Sequence, residues 1–309
     1  MKKNLPLMIA PLALAALVFS SCASGIHSRP NIHGMISRVG YGDNVAYILG
    51  SMHQGRANWF PLGPTVEEAM ARADVFVFET DLELAESPEV VEYAQKLLVL
   101  PEGTELKDVL SDRGYAWLTR NLRKFNLSYD NVSVLTPVGL SFVLAAMGNE
   151  AAGLKSKYSV DDYVRQFARA NGKPAIGLND VFSELDLVFN VPMELQAETF
   201  DDFGSSRSKR NDMSLERAYA MQNIAAIVTM LDRSMAEASE SALARHMHYA
   251  VFNIRDRIFA EEIARLLRET AEPTTFFVTM GIGHLVGGNH GRVFELLGEM
   301  GFEVEPLWE

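Results

Sequence analysis

Two short stretches of this chain place a histidine three residues after a glycine, Gly50-Ser51-Met52-His53 and Gly281-Ile282-Gly283-His284. Each follows an apolar, β-rich run, Val45–Leu49 before the first and Thr275–Thr279 before the second. Ligands of α/β sheets bind beyond the carboxyl ends of strands, where glycine lets the backbone turn and approach closely. Two imidazoles far apart in sequence can therefore meet in one pocket. A third strand-like run, Val75–Phe78, leads directly into Glu79 and Asp81. If that strand continues, alternation puts both carboxylates on one side. Two histidines and a carboxylate are a common first shell for a hydrolytic divalent metal, with a position left for water. Taken singly, each residue has a plainer reading: a hydrogen-bonded surface histidine, or a glutamate capping the next element. It is the repeated spacing beside an acidic strand end that points to chemistry.

The elements that must hold these groups alternate. Strands are predicted over Val45–Leu49, Val75–Phe78, Pro174–Leu178, Thr275–Thr279 and Phe302–Pro306 from their short apolar runs. Helices are predicted over Thr65–Arg72, Glu89–Leu98, Asp112–Phe125, Pro137–Met147, Val160–Ala170, Val181–Phe189, Leu215–Met235 and Ala250–Arg268. Continuous apolar strands separated by helices predict an α/β fold with a central sheet flanked by helices. The long helical stretch Glu83–Lys173 is expected to form a cap or lobe beside the sheet, and the polar run Asp201–Asp212 a surface loop.

Composition narrows the function. The 309 residues carry 28 Lys and Arg against 40 Asp and Glu, a formal charge of −12, which argues against a protein whose main partner is nucleic acid. No GxSxG elbow, dinucleotide GxGxxG or phosphate-loop Lys-Ser/Thr occurs. Covalent serine or cysteine catalysis is thus disfavoured, and metal-activated water is the hydrolytic mechanism left. Lys2 and Lys3 precede the apolar run Leu5–Phe19 and the small residues Ser20–Ser24, the pattern of an export signal. A retained membrane anchor is the alternative, although Pro6 and Pro11 interrupt the run, which is short of the roughly 20 apolar residues a span needs. Cys22, the only cysteine, stands where the apolar run gives way to small residues. The expected organisation is a signal segment over 1–22, a linker over 23–32 and one domain over 33–309.

The runs Tyr47–His53, Pro61-Leu62, Val77–Asp81, Leu100–Leu106, Gly172–Leu178 and Phe277–Val286, in that order, resemble the TraB/GumN family, which includes the Tiki metalloproteases. The resemblance covers roughly residues 33 to 309. It implies a fold shared with haem-binding ChaN proteins and the erythromycin esterase group, and it makes His53, Glu79 and His284 the metal ligands or catalytic groups. The ion it implies is divalent: Mn, Co or Zn. Asp81 or another nearby carboxylate would then take the proton, and Arg255 matches the family's helix bearing an Arg-Asn pair, with Asp256 in place of Asn. Arg255 would steady developing charge. Its plainer reading is a solvated helical face, since Arg255, Asp256 and Arg257 are consecutive and cannot all point inward. Asp161 matches a family aspartate that opens a helix, although an N-cap explains it equally well. Where the family reads Gly-Leu-Glu and then a Gln five residues on, this chain has Asn179 and Glu184. Asn179 would weaken metal or substrate positioning if the family glutamate does that work, and serves as well if that residue only caps a helix. His290, just beyond the second motif, could line the mouth of the site. His246 and His248 point to different sides of a helix and do not share a metal.

Around Cys22 the sequence resembles a bacterial lipoprotein lipobox, with Phe19 where Leu is usual. The expectation is an exported hydrolase of the cell envelope, held at a membrane through a lipid on Cys22, whose substrate is a peptide. The alternative is a non-catalytic lipoprotein that binds haem, metal or peptide on the same fold. Replacing Cys22 by Ser is expected to move the protein from the membrane fraction to the soluble one. Unchanged fractionation would leave simple secretion or a retained anchor instead.

Overall fold

The computed structural model describes residues 32–202, 214–238, 242–287 and 291–308. The expected signal segment, Cys22, nearly all of the linker, His290 and most of the polar run after Asp202 lie outside the described residues. The chain forms, in order, β1 (Met35–Tyr41), β2 (Asn44–Ser51), α1 (Pro64–Arg72), β3 (Val75–Thr80), α2 (Pro88–Leu98), α3 (Asp112–Asn121), α4 (Pro137–Ala151), α5 (Val160–Ala170) and β4 (Ala175–Asn179). There follow α6 (Val181–Phe189), α7 (Met193–Asp202), α8 (Ile224–Ala238), α9 (Arg255–Glu269), β5 (Thr275–Gly281), α10 (Val293–Glu299) and β6 (Val304–Pro306). This is an α/β fold around one six-stranded sheet of order β4-β3-β5-β2-β1-β6.

The four strands β4, β3, β5 and β2 run parallel, which brings the ends of β2, β3 and β5 together at one edge. Their cores are continuous apolar runs: Ile48, Leu49, Phe76, Val77, Phe277 and Val278 are all buried. β1 was not among the predicted strands. It pairs antiparallel with β2 across the two-residue turn Gly42-Asp43, where Gly42 takes a φ of +57°, and β6 pairs antiparallel with its other side. Its polar residues Ser37 and Arg38 break the apolar run that marks the other strands, so the turn is its clearest signal.

Three predicted helices are interrupted. The one beginning at Asp112 ends at Asn121 and continues as a 3-10 turn to Phe125. The stretch from Leu215 breaks at Met221–Asn223, with Gln222 at a φ of +52°. The helix expected from Ala250 starts as a π-helical turn, Tyr249–Ile254, before α9. Asp201 and Asp202, expected in a loop, instead close α7. The helical middle does build a lobe with its own core of Leu100, Leu106, Leu118, Leu135 and Leu140, and Phe200 of α7 joins it. α5, however, belongs to the sheet, since Val160, Val164 and Ala168 pack into the main core. No helix among the described residues is long and apolar enough to cross a membrane.

The segment Leu215–Ala220 reaches the functional edge directly. Buried Tyr219 packs on Trp59 and donates its hydroxyl hydrogen to the Gly50 carbonyl at 2.7 Å, in the strand end that precedes His53. Tyr219→Phe is expected to cost about 1–3 kcal/mol in urea unfolding, since it deprives a buried carbonyl of its donor. A change within experimental error would mean that this bond does not help to hold the end of β2.

Candidate functional site

The loop after β2 is fixed by main-chain bonds to the start of α5: Met52 O accepts from Val160 N at 3.1 Å, and Gly55 and Lys155 exchange bonds of 3.1 and 2.9 Å. These bonds set His53 against Asp161. Ser159, not Asp161, caps α5, accepting from Asp162 N at 3.0 Å. Asp161 is thereby free to bridge, with Oδ1 taking the Ser51 hydroxyl at 2.7 Å and Oδ2 lying 3.1 Å from His53 Nδ1. Asp161 raises the His53 pKa to about 9, with Glu79 adding to it and Arg255 opposing it. The imidazole is open to solvent, its side chain 68% exposed, so water screens part of that attraction.

His284 is held in the same way but inside the protein. It follows β5 on a short 3-10 turn, and its Nδ1 lies 2.6 Å from Asp256 Oδ1, while Asp256 Oδ2 accepts the Arg292 N–H at 2.7 Å. Phe259 meets its ring edge to face at 5.2 Å between centroids, and Phe252 lies at 5.5 Å. Phe252, Arg255, Asp256 and Phe259 are spaced as one helical face, and the π-helical turn leads directly into it. Asp256, where the resemblance implies Asn, is therefore the residue that orients the second histidine. Asp256 is buried and Arg257 exposed, which settles the direction of the three consecutive charges.

Glu79 lies between the two histidines. Its Oε1 accepts the Gly281 N–H at 2.6 Å and its Oε2 pairs with Arg255. Burial works against ionisation of Glu79, but Arg255, His284, His53 and the Gly281 N–H outweigh it and hold the carboxyl below the usual carboxylate range. Arg255 also pairs with Glu184 at 2.9 Å and lies 5.0 Å over the Phe259 ring. Burial pushes the Glu184 carboxyl upward, Arg255 opposes this, and the nearby Glu79 charge adds to it.

Asp81 does not join the group. β3 ends at Thr80, and Asp81 caps the helix Leu82–Ala85, its Oδ1 accepting from Glu83 N and Leu84 N at 2.9 and 3.0 Å. The assumption that failed is continuation of the strand; an Asp immediately before a helical turn is a capping signal. Asn179, at the end of β4, spends its side-chain oxygen on its neighbour Asp180 N at 2.9 Å. Ser51 stands inside the first motif without a role that its spacing reveals.

Gly281 shows how closely the groups converge. A Cβ built there would lie 3.4 Å from Glu79 Oε1, 3.4 Å from His53 Nε2 and 3.6 Å from His284 Cδ2. Both histidines thus engage a carboxylate through Nδ1, the arrangement that fixes the tautomer of metal-ligating histidines. Among the described residues, no group of three His, Cys, Asp or Glu side chains already has the spacing of a formed metal shell. The donor chemistry still fits a divalent ion: two oriented imidazoles and an ionised carboxylate around one point.

The profile of the TraB/PrgY/gumN family matches residues 35–306, from β1 to β6. The chain belongs to that family. It is also similar to the "Uncharacterized protein YbaP" of Shigella flexneri and of Escherichia coli (strain K12), 22% identical to each over 151 residues. That match takes in 49% of this chain and 54% of each relative, so it spans about half their length. No solved structure matches.

The Gly281 geometry makes a specific demand. Its φ of −52° suits any residue, and an added methyl meets its neighbours at ordinary contact distances. Gly281→Ala is therefore expected to fold with an unchanged melting temperature while losing any ligand held jointly by His53, Glu79 and His284. Equal ligand binding by the variant and the parent would mean that those three side chains do not act on one point.

Proposed function

We propose that this TraB/PrgY/gumN protein is an exported, lipid-anchored, divalent-metal-dependent hydrolase that acts on peptide bonds. The observation that carries this reading is the pair of imidazoles, each engaging a carboxylate through Nδ1, with Glu79 between them at Gly281. Export and lipidation rest on the N-terminal pattern and Cys22 alone. His53, His284 and Glu79 would hold the ion, which when bound lowers the pKa of a coordinated water toward about 7 and polarises the scissile carbonyl.

The remaining tasks fall to the chain itself. Asp161 and Asp256 engage Nδ1 of the two rings, which would leave each Nε2 as the nitrogen to meet an ion. Asp81 is committed to its cap, so the proton would pass to another carboxylate near the pocket. Arg255 keeps Glu79 ionised and in place, with its plane against Phe259. Access is from the side of His53, the one member of the three that is open to solvent.

The ion pair between Arg255 and Glu79 favours a second reading, a family member that binds haem, metal or peptide without turnover, because it already occupies the carboxylate. Elemental analysis after exposure to Mn, Co or Zn separates the two. The hydrolase reading expects about one ion per chain, lost in His53→Ala and in His284→Ala, together with metal-dependent cleavage of a peptide library. Haem binding with a Soret band and no cleavage would replace it with the second reading, and absence of any bound ion would sink the metal site.

A further inference from the structure

Among the described residues, Arg255 is the arginine that pairs with Glu79, and its side chain is 7% exposed. A guanidinium committed wholly to one carboxylate cancels that charge and leaves a poor donor for a metal. Here the commitment is divided: Nη2 of Arg255 reaches both Glu79 and, at 2.9 Å, Glu184. Glu184 comes from the first turn of α6, an element that supplies neither a histidine nor Glu79. Two buried atoms at this junction, Glu184 Oε2 and Arg255 Nε, have no hydrogen-bond partner, so the pair is not held by a saturated network that would make Glu184 redundant.

We infer that Glu184 is a positioning residue that draws part of the Arg255 charge away from Glu79 and holds the guanidinium beside the site, leaving Glu79 anionic enough to bind a divalent cation. The inference rests on the metal-site reading above and adds to it a residue outside the two glycine-histidine motifs and the strand-end glutamate. Aspartate at position 184 keeps the charge on a side chain one carbon shorter. Glutamine keeps the shape and removes the charge. Neither change touches a histidine or the Gly281 turn.

The test uses the full chain and two independent readings. Titration with Mn²⁺ alone is expected to show binding weakened about tenfold or more in Glu184→Gln, the usual scale for a lost outer partner of a metal ligand, with Glu184→Asp recovering part of it. Modification by phenylglyoxal, followed by peptide mass mapping, is expected to leave Arg255 protected in the parent and exposed in Glu184→Gln at an unchanged melting temperature. Parent-like Mn²⁺ affinity in Glu184→Gln would overturn the inference. If the parent binds no Mn²⁺, the metal-site reading fails, and the phenylglyoxal result then decides alone whether Glu184 holds Arg255: continued protection in Glu184→Gln overturns the positioning role.

Discussion

A buried charge must find an opposite charge, and in this protein one guanidinium answers for two carboxylates from different parts of the chain. Arg255 joins α9 to Glu79 on β3 and to Glu184 on α6. Its sequence neighbour Asp256 joins the same turn of α9 to His284 and to the backbone that leads into α10. Removing Arg255 would leave both carboxylates uncompensated, a loss that typically costs about 3–5 kcal/mol, whereas removing Glu184 leaves Arg255 paired with Glu79. The first turn of α9 is therefore both a structural clamp and the base on which the site stands. Phe259, one turn on, supports the guanidinium plane and the imidazole edge together.

Much of the fold was legible because the strands of a covered parallel sheet are apolar on both faces, as in Val75–Phe78 and Thr275–Thr279. β1 was not, since one of its residues is Arg38 and its pairing is announced only by a glycine turn. The helix breaks at Gln222 and before Arg255 were also hidden: their residues fit a helix locally, and tertiary contacts decide where they stop. The three central site residues could be read because each sits at a strand end, where topology alone brings them together.

Their supports were less visible. Ser51 meets Asp161, Asp256 meets His284 and Glu184 meets Arg255 across long stretches of chain, and no local spacing encodes such a meeting. Only the resemblance singled out Asp161, and it offered capping as an equal explanation. Asp256 and Glu184 first stood out as departures from a family pattern, and the structure gives both of them side-chain partners, His284 and Arg255. Asp81 shows the opposite error. Its placement followed from strand periodicity, whereas a carboxylate that finds free helix N–H groups two and three residues ahead leaves the strand to bond them.

β5 is last in sequence among the four parallel strands, yet it lies between β3 and β2. Neighbouring strands lie roughly 4.8 Å apart, so β2 and β3 cannot bond to one another across the space that β5 fills. A growing polypeptide that has not yet reached Thr275 thus has two half-sheets and an incomplete centre, with His53 and Glu79 already made but nothing to bring them together. Closing so long a loop is slow, and the centre appears only when that closure succeeds. Any chemistry at this centre would be silent in every nascent chain that stops short of β5 and His284.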